Sequence, residues 1–156
     1  MPDLYLSAKL IHFLAVIVMV GATIINGLIH GQAKAATPLE ASALLKAVLS
    51  INRLLMAPSL VLIPISGYAL MVITGYGLAD KWLLISLVLS ISLIAAYLLG
   101  LRLEQRLHII ATQSSTQHES TLPKSYNSTF TKAVPIGSGA LVMSIAALVL
   151  MIFKPF

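Results

Sequence analysis

Long apolar runs separated by short polar stretches dominate this chain. At a rise of 1.5 Å per residue, about 20 apolar residues match a hydrocarbon core of about 30 Å. Four runs are long enough to span it, at about residues 7–30, 54–75, 81–103 and 133–153. Continuous apolar runs exclude the alternating pattern of a barrel, and a helix satisfies its own backbone in lipid. The pattern therefore predicts an all-α integral membrane protein, a single four-helix bundle in up-down-up-down order over residues 1–156.

Local signals predict where the helices begin and end. Thr37-Pro38-Leu39-Glu40 is a capping-box pattern, which predicts a helix start after the first span. Gly75 is expected to end the second span, and Asp80 to cap the third helix. Residues 108–132, rich in Ser, Thr and Gln, predict a cytoplasmic loop.

The second span carries helix-distorting residues. Pro58 and Pro64 are expected to bend it, because proline removes a backbone hydrogen bond and clashes with the preceding turn. Gly67 lacks a side chain, so we expect it to lie against a neighbouring helix.

Composition and charge narrow the classes of protein. Hydrophobic residues make up 58% of the chain and charged residues only 10%, against about 25% in soluble domains. A soluble domain and a nucleic-acid binder are thereby excluded, and the absence of cysteine removes disulfides and thiolate metal sites. Seven of the ten Lys and Arg residues lie in the two long connections and three near the other ends. This asymmetry predicts a bacterial inner-membrane protein with both termini periplasmic.

The first span carries a polar stripe on one helix face. Its members recur at spacings of three, four or seven: Lys9, His12, Met19, Thr23, Asn26 and His30. Titratable groups within a span face the bundle interior and are functional hypotheses. His12 is either a functional ligand or a core histidine bonded to Ser86, to a backbone carbonyl or to water. Lys9 can instead snorkel to the interface.

Depth in the bundle sorts the candidate residues into two layers, because consecutive helices alternate in direction. The outer layer contains Lys9, His12, Tyr68, Met71, Trp82, Ser86, Met151 and Lys154. The inner layer contains Asn26, His30, Asn52, Arg53, Met56, Tyr97, Glu104 and His108.

The outer layer suggests a haem b site centred on His12. Met71 or Met151 is the candidate axial ligand opposite His12 Nε2, since His/Met ligation of haem iron is chemically reasonable. Lys9 and Lys154 are candidate partners for the propionates. No Asp or Glu lies within a predicted span, and no hydrolase motif occurs. The sequence therefore indicates no catalytic residues.

Four motifs in order resemble a bacterial family of predicted four-helix integral membrane proteins of unknown function, over nearly the whole length. The motifs are Lys9-Leu10-Ile11-His12 followed by Gly21, Asn52-Arg53-Leu54 through Pro58 to Gly67, Lys81-Trp82-Leu83, and the ending Met151-Ile152-Phe153-Lys154-Pro155-Phe156.

The same layout is distantly similar to the four-helix membrane protoporphyrinogen oxidases. In that family the first-span histidine is associated with b-type haem, which the resemblance implies for His12 alone. The family's third-span lysine falls on Ser86 here, and the nearest counterpart of its basic residue late in the first span is Asn26.

Two main functional hypotheses follow. One is a small b-type haem-binding or redox-associated module centred on His12. The other is a non-enzymatic membrane accessory subunit without a cofactor, and oxidation of a porphyrin precursor is a third alternative. The expected partner is the lipid bilayer, with a homo-oligomer or a larger membrane complex left open.

Overall fold

The protein consists of long helices joined by short connections. The computed structural model describes residues 2–154, and this part of the chain contains no strand. The elements are α1 (Pro2–Ala35), α2 (Pro38–Ile51), a π-helical turn (Asn52–Met56), α3 (Ala57–Thr74), α4 (Lys81–Thr116) and α5 (Lys124–Phe153). The predicted all-α four-helix bundle is confirmed.

Four helical segments are long and apolar enough to cross a membrane. They are Asp3–Ala35, Pro38–Thr74, Lys81–Thr116 and Lys124–Phe153. At 1.5 Å per residue, the 36 residues of α4 extend about 54 Å, well beyond a hydrocarbon core of about 30 Å. α4 is therefore longer than a hydrocarbon core requires.

The two ends of the bundle differ. The terminal end carries residues 2 and 154 and the turn at residues 75–80, and the distal end carries the connections at residues 36–37 and 117–123. Residues 155 and 156, part of the motif at the end of the chain, lie outside the described residues.

Two predicted helix ends are confirmed and one differs in detail. Thr37 accepts from the Glu40 amide while the Glu40 carboxylate accepts from the Thr37 amide, which completes the capping box. Gly75 closes α3 in the left-handed conformation, with φ of 75°. Asp80 stands at the N-cap of α4, but its carboxylate accepts from the Gly77 amide in the preceding turn instead of capping the helix.

The predicted loop over residues 108–132 is largely wrong. α4 continues to Thr116 and α5 begins at Lys124, so only residues 117–123 are non-helical. The reason is packing at the distal end, where Leu107, Ala111 and Tyr126 are fully buried. Burial on a neighbouring helix overrides the weak helix propensity of a Ser- and Thr-rich stretch.

A separate apolar cluster holds the distal end together. α2 packs against α1 and α4, and the cluster of buried residues comprises Ala33, Ala41, Leu45, Leu107, Ala111 and Tyr126. This cluster anchors the start of the second span in place.

Within the membrane-spanning part, the helices form two pairs. α3 packs mainly against α1, and α4 packs mainly against α5, with α1 and α5 in lesser contact. The space between the two pairs holds the candidate functional site described below.

Candidate functional site

His12 lies in the interior of the bundle near the terminal end. Its side chain is 9% exposed, and Nδ1 lies 3.1 Å from the Ile63 carbonyl oxygen and 2.9 Å from Ser66 Oγ. The carbonyl can only accept, so Nδ1 carries the proton and donates to both oxygens. The burial of His12 confirms its predicted interior position.

Gly67 on α3 lies against His12. A β-carbon built at Gly67 would be 3.4 Å from His12 Cε1, which is an ordinary van der Waals contact. The expected contact of Gly67 with a neighbouring helix is present. A π-helical turn lies just before Pro58, where the Ala57 amide donates to the Asn52 carbonyl. The bend at Pro58 and Pro64 stays a prediction.

The arrangement at His12 does not fit a haem. Nε2 lies 3.3 Å from Met151 Sδ. At that distance the two atoms are in direct contact, so there is no room for a porphyrin between them. The nearby cavity lined by Met151 and Ser86 has a volume of about 20 Å³, which is room for one water molecule.

The other residues predicted for this site make no hydrogen bond to the His12 ring within the described part of the chain. Lys9 is exposed, with Nζ 5.6 Å from the ring centroid of Tyr5. Lys154 Nζ lies 3.2 Å from the Tyr76 hydroxyl and 5.2 Å from the Trp82 ring centroid. Met71 is half-buried on α3 and is not among the hydrogen-bonding partners of His12. Of the predicted set, the structure brings only His12 and Met151 together.

A larger cavity lies further along the bundle, between the α1/α3 and α4/α5 pairs. It has a volume of about 420 Å³, within the range of pockets that hold drug-sized molecules. Its walls are mainly apolar, and they include Met19, Met56, Leu60, Leu93 and Ile136. A cavity of this kind suits a molecule with an apolar body.

One wall of the cavity carries a chain of hydrogen-bonded polar side chains. Asn26 Nδ2 donates to Asn52 Oδ1 over 2.7 Å, Asn52 Nδ2 donates to Glu104 Oε2, and His30 Nε2 lies 3.1 Å from Glu104 Oε1. All four residues line the cavity. Four residues of the predicted inner layer are therefore joined by hydrogen bonds. Arg53, also placed in that layer, is exposed and is not part of this polar chain.

The π-helical turn helps to place this chain. Asn52 is its first residue and is 2% exposed. The Tyr97 hydroxyl donates to the Asn52 carbonyl over 3.4 Å, so α4 also holds the turn. Turns of this type are frequent at functional sites because they redirect a side chain without ending the helix.

The polar chain ends in two atoms without a protein partner. Asn26 Oδ1 and His30 Nδ1 are buried, and neither makes a hydrogen bond within residues 2–154. Leaving a buried polar atom unpaired costs about 1–3 kcal/mol, so each such atom in a native structure needs an explanation. A molecule in the cavity would supply the missing partner.

The mouth of the cavity faces the surface of the bundle between α1 and α5. Lining residues on both helices are exposed: Ile24, Gly27 and Leu28 on α1, and Val134, Gly137 and Ser138 on α5. A β-carbon at Gly27 or at Gly137 would meet nothing within 4 Å, so these glycines leave the mouth open.

Sequence reasoning underestimated Glu104. The sequence places it just after the third predicted span, and in the structure it bonds to Asn52 and to His30 of the first span. The signal available was a single acidic residue at the same depth as three polar residues on other helices. Groups of three or more His, Cys, Asp or Glu side chains suited to a metal ion do not occur within the described residues.

Comparison with known proteins identifies the family of this chain. Residues 6–155 match the model of a family described as predicted integral membrane protein (DUF2269). The chain belongs to that family. No curated protein matches it, and no solved structure matches it. Membership of this integral membrane protein family agrees with the four candidate spans, while the similarity to protoporphyrinogen oxidases gains no support and stays a prediction.

Proposed function

We propose that the protein is a non-enzymatic membrane binding protein that holds a small amphiphilic molecule in the cavity between its helix pairs. The observation that carries this proposal is the 420 Å³ cavity, whose apolar walls adjoin a buried polar chain with unpartnered atoms at its ends. The apolar body of the ligand would lie against the walls, and its polar head would bond to the chain.

The ligand is expected to enter from the bilayer. The mouth between α1 and α5 is bordered by apolar side chains that are 46–66% exposed, such as Ile24 and Leu28. A lipophilic molecule partitions into the membrane and reaches this mouth without crossing water.

Binding of a defined probe tests the proposal. We expect 2-naphthylmethanol, an apolar ring system with one hydroxyl, to bind saturably at one site per chain in lipid nanodiscs. Radiolabelled probe would be measured by equilibrium dialysis, with empty nanodiscs of the same lipid subtracted. Binding no greater than that of empty nanodiscs would contradict the proposal.

A second proposal concerns haem, and it is negative: we propose that the 3.3 Å contact of His12 Nε2 with Met151 Sδ leaves no room for a haem between them. If a haem were bound, His12, whose Nδ1 bonds to Ile63 and Ser66, would hold it, and Met151 would first have to move away. Haem bound there would supply electron transfer.

An absorption spectrum tests this second proposal. From the 3.3 Å contact we expect protein purified from haem-replete cells to show no Soret band. A band that is lost in His12→Ala, while the far-ultraviolet circular dichroism stays unchanged, would establish haem binding and overturn that expectation.

The orientation in a bacterial inner membrane is also a proposal, and it rests on the seven-to-three distribution of Lys and Arg. We expect a periplasm-active reporter fused after Phe156 to be active, and one inserted within residues 117–123 to be inactive. A cytoplasm-active reporter should give the reverse pattern. Exchange of the two results would place both termini in the cytoplasm.

Association with other chains is a further proposal that the accessory-subunit hypothesis requires. Cross-linking in native membranes would detect a homo-oligomer or a larger complex.

A further inference from the structure

The polar chain at the cavity has a direction that its central carboxylate determines. Ionised Glu104 has only acceptor atoms, so both groups bonded to it must donate. His30 donates through Nε2 to Oε1, and Asn52 donates through Nδ2 to Oε2. The amide of Asn52 is thereby fixed in one of its two possible orientations.

The orientation of Asn52 fixes that of Asn26 in turn. With Nδ2 of Asn52 engaged by Glu104, its Oδ1 faces Asn26 and accepts from Asn26 Nδ2 over 2.7 Å. Rotation of the Asn26 amide alone would bring two oxygens together at that distance, which is repulsive. Asn26 therefore presents its oxygen, not its nitrogen, as the free end of the chain.

The free end is consequently a hydrogen-bond acceptor. Asn26 is only 5% exposed, and its Oδ1 has no partner within the described residues. An acceptor of this kind is satisfied by a hydroxyl or an amine, whereas an ether or a carbonyl would face it with a second acceptor. The orientation of Asn26 is the same whether His30 is neutral or protonated, because Nε2 donates to Glu104 in both states.

We infer that the ligand carries a hydrogen-bond donor, a hydroxyl or an amine, on its polar head, and that Glu104 and Asn52 are positioning residues that impose this preference. The inference rests on the proposed binding function and specifies the chemical class of its ligand. Glu104 acts on Asn26 indirectly. It orients the Asn52 amide, and Asn52 in turn orients the Asn26 amide.

Three probes with the same apolar body test the inference on the wild-type protein. They are 2-naphthylmethanol, 2-naphthylmethylamine and 2-(methoxymethyl)naphthalene, and they carry a hydroxyl, an amine and an ether. We expect the ether to bind about tenfold more weakly than the alcohol, because it leaves Asn26 Oδ1 unpaired. The amine should also bind more tightly than the ether, and the ratio of alcohol to amine shows which donor is preferred.

The variant Glu104→Gln separates the positioning role from a merely structural one. A glutamine amide can donate as well as accept, so Asn52 and Asn26 are free to rotate and Asn26 can present its amino group. We expect the alcohol-to-ether ratio to fall from about tenfold towards one, mainly through tighter binding of the ether. Exposed Glu119→Gln is the matched control and should keep the wild-type ratio.

The outcomes are distinguishable. Absence of binding by all three probes would overturn the proposed function and the inference with it. Equal binding of alcohol and ether by the wild-type protein would overturn the inference alone, and so would an unchanged ratio in folded Glu104→Gln. If that variant fails to fold, Asn26→Leu takes its place, because loss of the acceptor should also abolish the preference.

Discussion

Replacement of Glu104 by alanine is expected to lower the free energy of unfolding by about 3 kcal/mol. Glu104 accepts hydrogen bonds from Asn52 and His30, and its side chain is only 14% exposed. Its removal leaves two buried donors without an acceptor, each at about 1–3 kcal/mol. The measurement is denaturant or thermal unfolding of the purified protein in detergent, followed by circular dichroism.

Two further substitutions make this result specific. Glu119→Ala removes an exposed carboxylate in the 117–123 connection and should change stability by less than about 0.5 kcal/mol. Glu104→Gln should be intermediate, because the glutamine oxygen still accepts one bond. Equal stability of the Glu104→Ala and Glu119→Ala variants would show that the polar chain contributes nothing to the fold.

Closing the mouth of the cavity is expected to reduce probe binding by tenfold or more. In Gly27→Phe the new ring would stand in open space at the mouth, where a β-carbon meets no atom within 4 Å. Because the new β-carbon meets no atom, we expect the fold to be retained while access from the lipid is lost. Binding of 2-naphthylmethanol in nanodiscs measures the effect.

The same helix offers a matched control. Gly21→Phe introduces the same side chain into α1 where a β-carbon also meets open space, but Gly21 does not line the cavity. It should bind the probe like the wild type. Gly137→Phe, on the opposite side of the mouth, should reproduce the loss. If Gly27→Phe and Gly21→Phe bind equally well, the probe does not enter between α1 and α5.

Much of the helical architecture could be predicted from the sequence, because it depends on local or one-dimensional properties. The lengths of the apolar runs indicate four candidate membrane spans, and the capping box at Thr37 and the left-handed Gly75 set two of the helix ends. Because consecutive helices alternate in direction, the depth of each residue along its helix also predicted that Asn26, Asn52 and Glu104 lie in one layer. Segment length and direction alone carry this information.

The limits of the helices at the distal end could not be predicted in this way. Residues 108–132 have the composition of a loop, yet most of them are helical. Burial of Leu107 and Tyr126 at the distal end stabilises the two helices there. That contact joins residues far apart in sequence, so no local pattern reports it.

The candidate site also depends on contacts between residues that are far apart in the sequence. The sequence gives a residue's depth, but the rotation of each helix and the distance between helix pairs follow from packing of all the side chains together. Packing brings His12 Nε2 to 3.3 Å from Met151 Sδ, where the sequence allowed a haem between them. It also separates the α1/α3 and α4/α5 pairs enough to leave a 420 Å³ cavity beside Asn26. The sequence alone determined that polar groups lie at that depth. Only the packing of the helices decided that these groups form hydrogen bonds to one another and that a cavity remains next to them.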